Sequence, residues 1–151
     1  MAVCRTTGTT SPRIRARPDS DMADIDMHTG QVIDNYRSAL QSVEIIFSTR
    51  IGSIVMLREF GAGVVELLGR LMTPVLFATF QQVIGTAIDL WEPRFRVRRV
   101  AISGSANGIR LGQANFSIEA DWRPRAHLGD FTVESVRNFN LFFLDRLARA
   151  E

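Results

Sequence analysis

The sequence predicts an α+β fold, with one long helix in the middle of the chain and antiparallel strands after it. The helix is expected over residues 74–91, where apolar side chains recur at helical spacing and form a wide stripe. Thr73 is a suitable N-cap and Pro74 suits the first helical position. Pro93 ends the helix, because the residue before a proline is displaced from the α region.

The strands after the helix show a change of phase that predicts a bent hairpin. Phe95 and Val97 are apolar at alternate positions, but Val100 continues the pattern one residue out of phase. A slip of one residue is what a β-bulge produces. A hairpin loop is expected over residues 103–108, which end in Asn-Gly, and a return strand with its own slip runs to Trp122.

Two other segments are expected to form further elements of secondary structure. Residues 133–147 fit a third strand, because the apolar residues Phe139, Leu141 and Phe143 occupy alternate positions, but their leucines also fit a helix. Before the long helix we expect a short helix that ends near Ser42, followed by a β-leaning apolar run.

The chain length suits one domain with extensions. Residues 1–27 are expected to be a disordered arm, because they contain arginines and then aspartates with few apolar side chains. Residues 28–144 form the expected domain and residues 145–151 a C-terminal tail.

Cys4 is the single cysteine, so no intrachain disulfide and no cysteine-based metal site is expected. The arm lacks the apolar core of a signal peptide, and no apolar run reaches the ~18 residues of a membrane span, so we expect a soluble protein made in a cytoplasm.

The side chains that could carry chemistry do not form a recognisable catalytic pattern. His28 and His127 have no neighbours that suggest a metal site, and no glycine pattern matches a phosphate or dinucleotide loop. We therefore expect no cofactor, no metal and no catalytic residue. A glycosidase would need two carboxylates that face each other across a cleft, for which Glu59, Glu66 and Glu92 are the candidates.

Arginine supplies all of the positive charge, since the 18 basic residues include no lysine. The cluster Arg94, Arg96, Arg98 and Arg99 could follow a phosphate backbone. The formal net charge is only +2, however, so carboxylates balance the arginines over the chain as a whole. A nucleic-acid-binding module is therefore an alternative rather than the preferred interpretation.

The sequence Glu92-Pro93-Arg94 places an anion and a cation at the end of the long helix. A glutamate there faces the negative end of the helix dipole, which disfavours it by ~0.3–1 kcal/mol. Because Pro93 holds Arg94 at a defined angle, this corner could offer both charges to a partner for bidentate pairing. The alternative is an ion pair inside the chain, from Glu92 to Arg58 or Arg96, and the residues alone leave the two nearly even.

The corner and the segment before the long helix resemble a known family. Trp91-Glu92-Pro93-Arg94 is similar to a hallmark of the small baseplate wedge subunit of contractile phage tails and of its counterpart in type VI secretion baseplates. Residues 41–62, QSVEIIFSTRIGSIVMLREFGA, are similar to a second pattern of that family. The family is labelled lysozyme-like and is regarded mainly as the sheath initiator. The resemblance covers roughly residues 28–122, and Ile54 and Leu57 depart from it at positions that are usually arginine.

The resemblance implies a compact single domain, in which the long central helix packs on a small, bent antiparallel sheet. It also implies a structural, non-enzymatic role, with several copies around the tail axis of a virion that assembles in the host cytoplasm. The implied partners are the larger baseplate wedge proteins, the tail sheath protein, and the tail tube or hub proteins, without nucleic acid or membrane. Peptidoglycan hydrolysis is the alternative that the lysozyme-like label suggests.

The resemblance assigns two sets of contact residues. The residues expected to bind the larger wedge proteins are Glu92, Pro93, Arg94, Arg96 and Arg58. The residues expected to present a strand edge to the sheath, by β-augmentation, are Phe139, Leu141 and Phe143. We expect Glu92→Ala or Arg94→Ala to leave the monomer folded and to block wedge assembly, and truncation after Trp122 to spare wedge binding and prevent sheath growth.

Overall fold

The computed structural model describes residues 24–67, 73–103, 114–144 and 147–150. In chain order, the described elements are β1 (Asp24–Ile25), β2 (Val32–Ile33), α1 (Asn35–Ser48), α2 (Val64–Leu67), α3 (Pro74–Trp91), β3 (Phe95–Ser103), β4 (Ala114–Trp122), β5 (Ser135–Leu144) and β6 (Leu147–Ala150). Most of the expected hairpin loop and the second phase slip lie outside the described residues.

Helix α3 begins and ends where the sequence predicts. The Thr73 side chain accepts a hydrogen bond from the backbone N–H of Leu76 at 3.2 Å, which caps the first turn. At the other end, the Glu92 N–H donates to the Ile88 carbonyl at 2.9 Å, and Pro93 allows no further turn. The helix buries a stripe of side chains spaced four residues apart: Phe80, Ile84 and Ile88.

The remaining strands form an antiparallel sheet of order β3-β4-β5-β6, and the expected α+β class is confirmed. The register shifts between Val97, which pairs with Ala120, and Arg99, which pairs with Glu119. Arg98 is therefore the extra residue of the predicted bulge. One face of the sheet packs against the helices around a core that contains Phe95, Phe116, Ile118, Phe139, Leu141 and Phe143.

Helix α1 differs from the prediction, because the segment expected to lean towards β-structure continues the helix to Ser48. Val43, Ile46 and Phe47 lie on the same buried face as Ala39 and Leu40. Burial of this face outweighs the weak preference of Val and Ile for strands.

The strand interpretation of residues 133–147 is confirmed, and the helical alternative is wrong. Strand β5 pairs with β4 over its whole length, from Ser135 opposite Trp122 to Phe143 opposite Ala114. Pairing with β4 makes this segment a strand, and the local sequence pattern does not show that partner.

Both ends of the predicted domain extend further than expected. Asp24 and Ile25, assigned to the disordered arm, form β1, and the Ser38 hydroxyl donates to the Asp24 carboxylate at 2.7 Å. Residues 147–150, assigned to a tail, form β6 and pair with Leu141–Leu144 of β5. In each case a contact with α1 or with the sheet orders residues whose own composition gives little indication of structure.

A buried carboxylate on α1 holds the last described strand. The backbone N–H of Ala150 donates to Glu44 Oε1 at 2.9 Å, and both residues are buried. The second oxygen of Glu44 lies 3.5 Å from His28 Nε2, in the turn between β1 and β2. Glu44 therefore joins the start of the described chain, α1 and β6 at one point.

Replacement of Glu44 by leucine should loosen β6, because the buried Ala150 N–H loses its acceptor. We expect faster amide exchange at Ala150 and a free energy of unfolding lower by about 1–3 kcal/mol. Glu44→Gln retains an oxygen acceptor and is the matched control, with a smaller effect on both measurements. Unchanged exchange at Ala150 in the leucine variant would show that β6 is held by other contacts.

Candidate functional site

The corner at the end of α3 is closed by an ion pair within the chain. The Phe95 N–H donates to the Glu92 carbonyl at 3.1 Å, and this tight turn around Pro93 brings the side chains of Glu92 and Arg94 together. Arg94 Nε lies 2.7 Å from Glu92 Oε1, and Arg94 Nη2 lies 2.9 Å from Glu92 Oε2. The pairing is bidentate, and both residues are buried, with exposed fractions of 4% for Glu92 and 9% for Arg94.

The other N–H groups of Arg94 reach α1. Arg94 Nη1 donates to the Asn35 side-chain oxygen at 2.9 Å, and Nη2 donates to the Ser42 hydroxyl at 3.2 Å. Nη1 also lies 3.4 Å from the Ser38 hydroxyl. Because Asn35, Ser38 and Ser42 are three and four residues apart, they form one polar stripe along the helix. The guanidinium therefore joins the corner to the first two turns of α1.

Further hydrogen bonds extend this network to β4 and β1. The Asn35 amide donates to the Pro124 carbonyl at 3.1 Å, and the Arg123 N–H donates to the Arg94 carbonyl at 2.8 Å. The Ser38 hydroxyl bond lowers the pKa of Asp24 from its usual 3.8, with smaller contributions from the Ile25 N–H and from the positive charge of Arg94. The contacts with Ser38, Ile25 and Arg94 thus favour the ionised form of Asp24.

This geometry shows which residue Glu92 pairs with. It also corrects the expectation that the charges of Glu92 and Arg94 are offered to another protein. Glu92 pairs with Arg94 rather than with Arg58 or Arg96, and both charges of the pair face the interior. The turn at Pro93 lets residues two positions apart pair across it. Glu92→Ala or Arg94→Ala was expected to leave the monomer folded; because each change leaves a buried charge unpaired, we now expect each to destabilise the monomer.

The α1 residues of the network were missed in the sequence, although a signal for them exists. Asn35, Ser38 and Ser42 place polar groups at helical spacing beside an apolar stripe. Such groups are buried only when they are hydrogen-bonded, so their spacing predicts a polar partner that crosses the helix. The sequence does not show that this partner is Arg94, 52 to 59 residues away along the chain.

The remaining wedge-binding candidates lie on the surface. Pro93 and Arg96 are exposed, and Arg96 Nε lies 3.9 Å from the Asp89 carboxylate, at the limit of an ion pair. Arg58 is exposed in the loop after α1, two residues before Phe60. The Phe60 ring packs edge-on against Trp91 with 5.1 Å between centroids, which brings this loop to the corner. Arg58 makes no ion pair with Glu92.

The three sheath-binding candidates contribute side chains to the core. Phe139, Leu141 and Phe143 are at most 1% exposed. Phe139 lies against Phe95, with 5.1 Å between ring centroids, and Phe143 lies edge-on to Phe47 at 6.0 Å. The side chains of these three residues are therefore not available to another protein, whereas Val136 and Asn138 of the same strand are exposed. Truncation after Trp122 would remove this part of the core, so it would unfold the domain rather than spare wedge binding.

The two edges of the sheet differ in how their backbone groups are covered. On the outer side of β3, Asp89 of α3 accepts from the Val97 N–H at 3.1 Å, and Gln81 donates to the Val100 carbonyl at 2.9 Å. Helix α3 thus covers that edge. On the other side, β6 pairs only with Leu141–Leu144. Within the described part of the chain, the first half of β5, Ser135–Asn140, has no strand beyond it.

The described residues show no arrangement for metal binding or paired carboxylates. They contain no group of three or more His, Cys, Asp or Glu side chains suited to a metal ion. Glu59 and Glu66 are exposed, whereas both oxygens of Glu92 are bound by Arg94. A cavity of about 650 Å³ between α3 and β3 has Asp89 as the single carboxylate among its described lining residues. None of the helices in the described ranges combines the length and the apolar character of a membrane span.

Comparisons with known proteins identify the family and support the fold. A family profile described as baseplate wedge protein gp25 matches residues 34–126, more than half of the chain. The chain belongs to this family of baseplate wedge proteins. The predicted resemblance is thereby confirmed, and the match spans every element from α1 to the end of β4.

One similar solved structure supports the fold alone. It is the 1.44 Å crystal structure of a candidate tail lysozyme from Geobacter sulfurreducens, with 22% sequence identity and a TM-score of 0.53. The similarity covers 72% of this chain and 86% of the other. The comparison with curated proteins found no match.

Replacement of Arg94 by alanine should destabilise the wedge protein strongly, because it leaves the buried Glu92 carboxylate without a partner. We expect the free energy of unfolding, measured by denaturant titration, to fall by about 3–5 kcal/mol. Removal of both charges in Glu92→Ala/Arg94→Ala should cost less than the sum of the single changes. Arg96→Ala, an exposed arginine two residues away, is the control and should change stability by about 0.5 kcal/mol or less. Equal losses of stability in Arg94→Ala and Arg96→Ala would show that the buried Glu92–Arg94 pair does not stabilise the fold.

Proposed function

We propose that this baseplate wedge protein docks on the larger wedge proteins of a contractile tail and then starts assembly of the tail sheath. Its family membership makes it a structural component of a tail baseplate. The proposal adds two surfaces, one at the corner for the wedge proteins and one at the open edge of β5 for the sheath. It includes the absence of enzymatic activity.

The proposed contact with the wedge proteins rests on one observation. The corner exposes residues next to a buried ion pair that holds it in one shape. Pro93 and Arg96 are exposed and flank Arg94 of the buried pair within two residues, and Arg58 lies two residues before Phe60, which packs against Trp91. A surface that is fixed before binding loses little conformational entropy when a partner binds. Exposed arginines suit carboxylates on that partner. In this proposal Glu92 and Arg94 set the shape of the docking surface and Pro93, Arg96 and Arg58 contact the partner.

Charge reversal at the two exposed arginines should separate docking from folding. We expect Arg58→Glu/Arg96→Glu to keep the melting temperature of the wild type, because both side chains are exposed, and to weaken binding to the purified larger wedge proteins at least about tenfold. Titration calorimetry would measure both affinities at one salt concentration.

The control for this experiment is Arg99→Glu, which reverses an exposed arginine on the same strand. It should bind the wedge proteins as the wild type does. An equal loss in the control would assign the effect to net charge, and undiminished binding of the double variant would place the wedge contact elsewhere.

The proposed sheath contact uses the backbone of β5. Successive residues of a strand point their N–H and C=O groups to opposite sides. Ala150 pairs with Leu141 and directs its N–H away from β5, to Glu44, so Leu141 directs its own groups towards β4. By the same alternation Asn138 directs its backbone groups to the open side, beyond the end of β6. An extended segment of a sheath subunit could add there as a further strand.

Removal of one outward N–H should reduce strand addition. We expect Asn138→Pro to leave wedge binding intact and to slow sheath polymerisation on assembled baseplates, because proline lacks the N–H that a new strand would bind. Asn138→Val keeps the N–H and is the control. Negative-stain electron microscopy of sheath length measures the outcome, and normal sheaths on Asn138→Pro baseplates would exclude this edge.

The alternatives receive less support from the geometry. A lysozyme needs a carboxyl group free to give a proton, and Arg94 occupies both oxygens of Glu92. For nucleic-acid binding, the arginine cluster is partly neutralised, since Arg98 Nε lies 2.7 Å from the Asp121 carboxylate and Arg94 is buried.

A further inference from the structure

The loop between α1 and α2 exposes a contiguous set of large apolar side chains. We call residues 51–57 the apolar loop. Its five large apolar residues have exposed fractions from 38% to 94%: Ile51, Ile54, Val55, Met56 and Leu57. Single exposed apolar residues are ordinary on a protein surface, whereas a contiguous patch indicates an interaction site. Neither the buried corner nor the open edge of β5 accounts for this patch.

The apolar loop is held in one shape by its own backbone. The Gly52 N–H donates to the Arg58 carbonyl at 2.8 Å, which closes the loop across its base. Gly61 has a φ of +124°, and a Cβ there would lie 2.6 Å from the Thr49 carbonyl oxygen at the end of α1. Only glycine allows this close approach. The apolar side chains are therefore presented by a fixed loop, so binding would cost little ordering entropy.

The conformation of the apolar loop decides what kind of element could cover it. Its residues form turns and bends rather than a strand, and the Ser53 N–H is used within the loop by the Arg50 carbonyl at 3.1 Å. It offers no strand edge for main-chain pairing, so a partner must contact side chains. The apolar stripe of an amphipathic helix provides such a surface.

Charge at the ends of the apolar loop restricts the partner further. Arg50 and Arg58 are exposed on either side of the patch, and neither forms an ion pair within the described residues. Glu59 follows Arg58, so the rim keeps a net positive charge. A second copy of this chain would place like charges together, which is unfavourable. A helix with carboxylates beside its apolar stripe would pair with Arg50 and Arg58.

We propose that the apolar loop is a second contact with the larger wedge proteins, and that its partner is an amphipathic helix with acidic residues beside its apolar stripe. The inference rests on the proposed function and adds an apolar surface to the charged residues assigned to the corner, with Arg58 belonging to both. Phe60, three residues after the loop, packs on Trp91, the residue before Glu92, so the end of the loop lies near the corner. Val55 and Met56 are its most exposed members, at 78% and 94%, and are the residues expected to insert deepest into the partner.

The test uses the full chain and the purified larger wedge proteins of the same tail. Val55→Asp/Met56→Asp should melt as the wild type does and bind at least about tenfold more weakly, since charge replaces apolar contact at the centre of the patch. Leu128→Asp/Phe131→Asp, which alters two apolar residues that are 71% and 61% exposed elsewhere, is the matched control and should bind as the wild type. In a separate variant, a photoreactive benzoylphenylalanine at Met56 should crosslink to an amphipathic, acid-flanked helix of a wedge protein.

Each other outcome overturns the proposal in an identifiable way. Full affinity of the double variant together with no crosslink from position 56 would remove the loop from the interface and leave the wedge role intact. Failure of the wild type to bind would reject the proposed function and this partner together. Crosslinking to a second copy of the chain, or Met56-dependent binding to vesicles of phosphatidylcholine and phosphatidylserine without a helix crosslink, would assign the apolar loop to self-association or to a lipid surface. The crosslink also gives a result if the double variant misfolds.

Discussion

The bidentate pair between Glu92 and Arg94 is the interaction on which the relative placement of α1, α3 and the sheet depends. Removing two charges from water costs several kcal/mol per ion, and only close geometry with further hydrogen bonds offsets that cost. Arg94 meets this requirement because its planar guanidinium has five N–H donors, which serve Glu92, Asn35 and Ser42 at once. A lysine could hold the charge but could not join the same three groups. The pair thus contributes specificity of arrangement more than net stability.

A consequence of this arrangement is that the sheet has one protected edge and one that, among the described residues, is only partly covered. Asp89 and Gln81 of α3 bind backbone groups of β3, and α3 is itself oriented by the corner. On the far side, Glu44 holds β6 through Ala150. Proteins usually protect strand edges against unwanted pairing. The half of β5 that no described strand covers is therefore the edge to which the proposal assigns strand addition, and the apolar loop lies on a different part of the chain.

How far the sequence predicts this structure depends on whether the signal is local. Helix α3 and the bulge at Arg98 follow from caps, a proline and a change of phase within a few residues. The length of α1, the order of β6 and the partner of Glu92 depend on residues far away in the chain, so local propensity does not indicate them. For the candidate site, the importance of Glu92-Pro93-Arg94 was predictable from an unfavourable charge at a helix end and a proline turn. The sequence did not predict that the side chains of Glu92 and Arg94 point inward, because their burial depends on the packing of α1 over the corner.

The central claim is that the Glu92–Arg94 pair stays closed inside the chain while the surface above it binds the wedge. Its most direct test is a cryo-electron microscopy structure of the chain bound to the larger wedge proteins, at a resolution that defines side chains. The account predicts that Arg94 Nε remains within about 3 Å of the Glu92 carboxylate, as a charge-assisted hydrogen bond requires, and that the partner contacts Pro93 and Arg96. An Arg94 side chain turned outward to a carboxylate of the partner, with Glu92 released from it, would contradict the account.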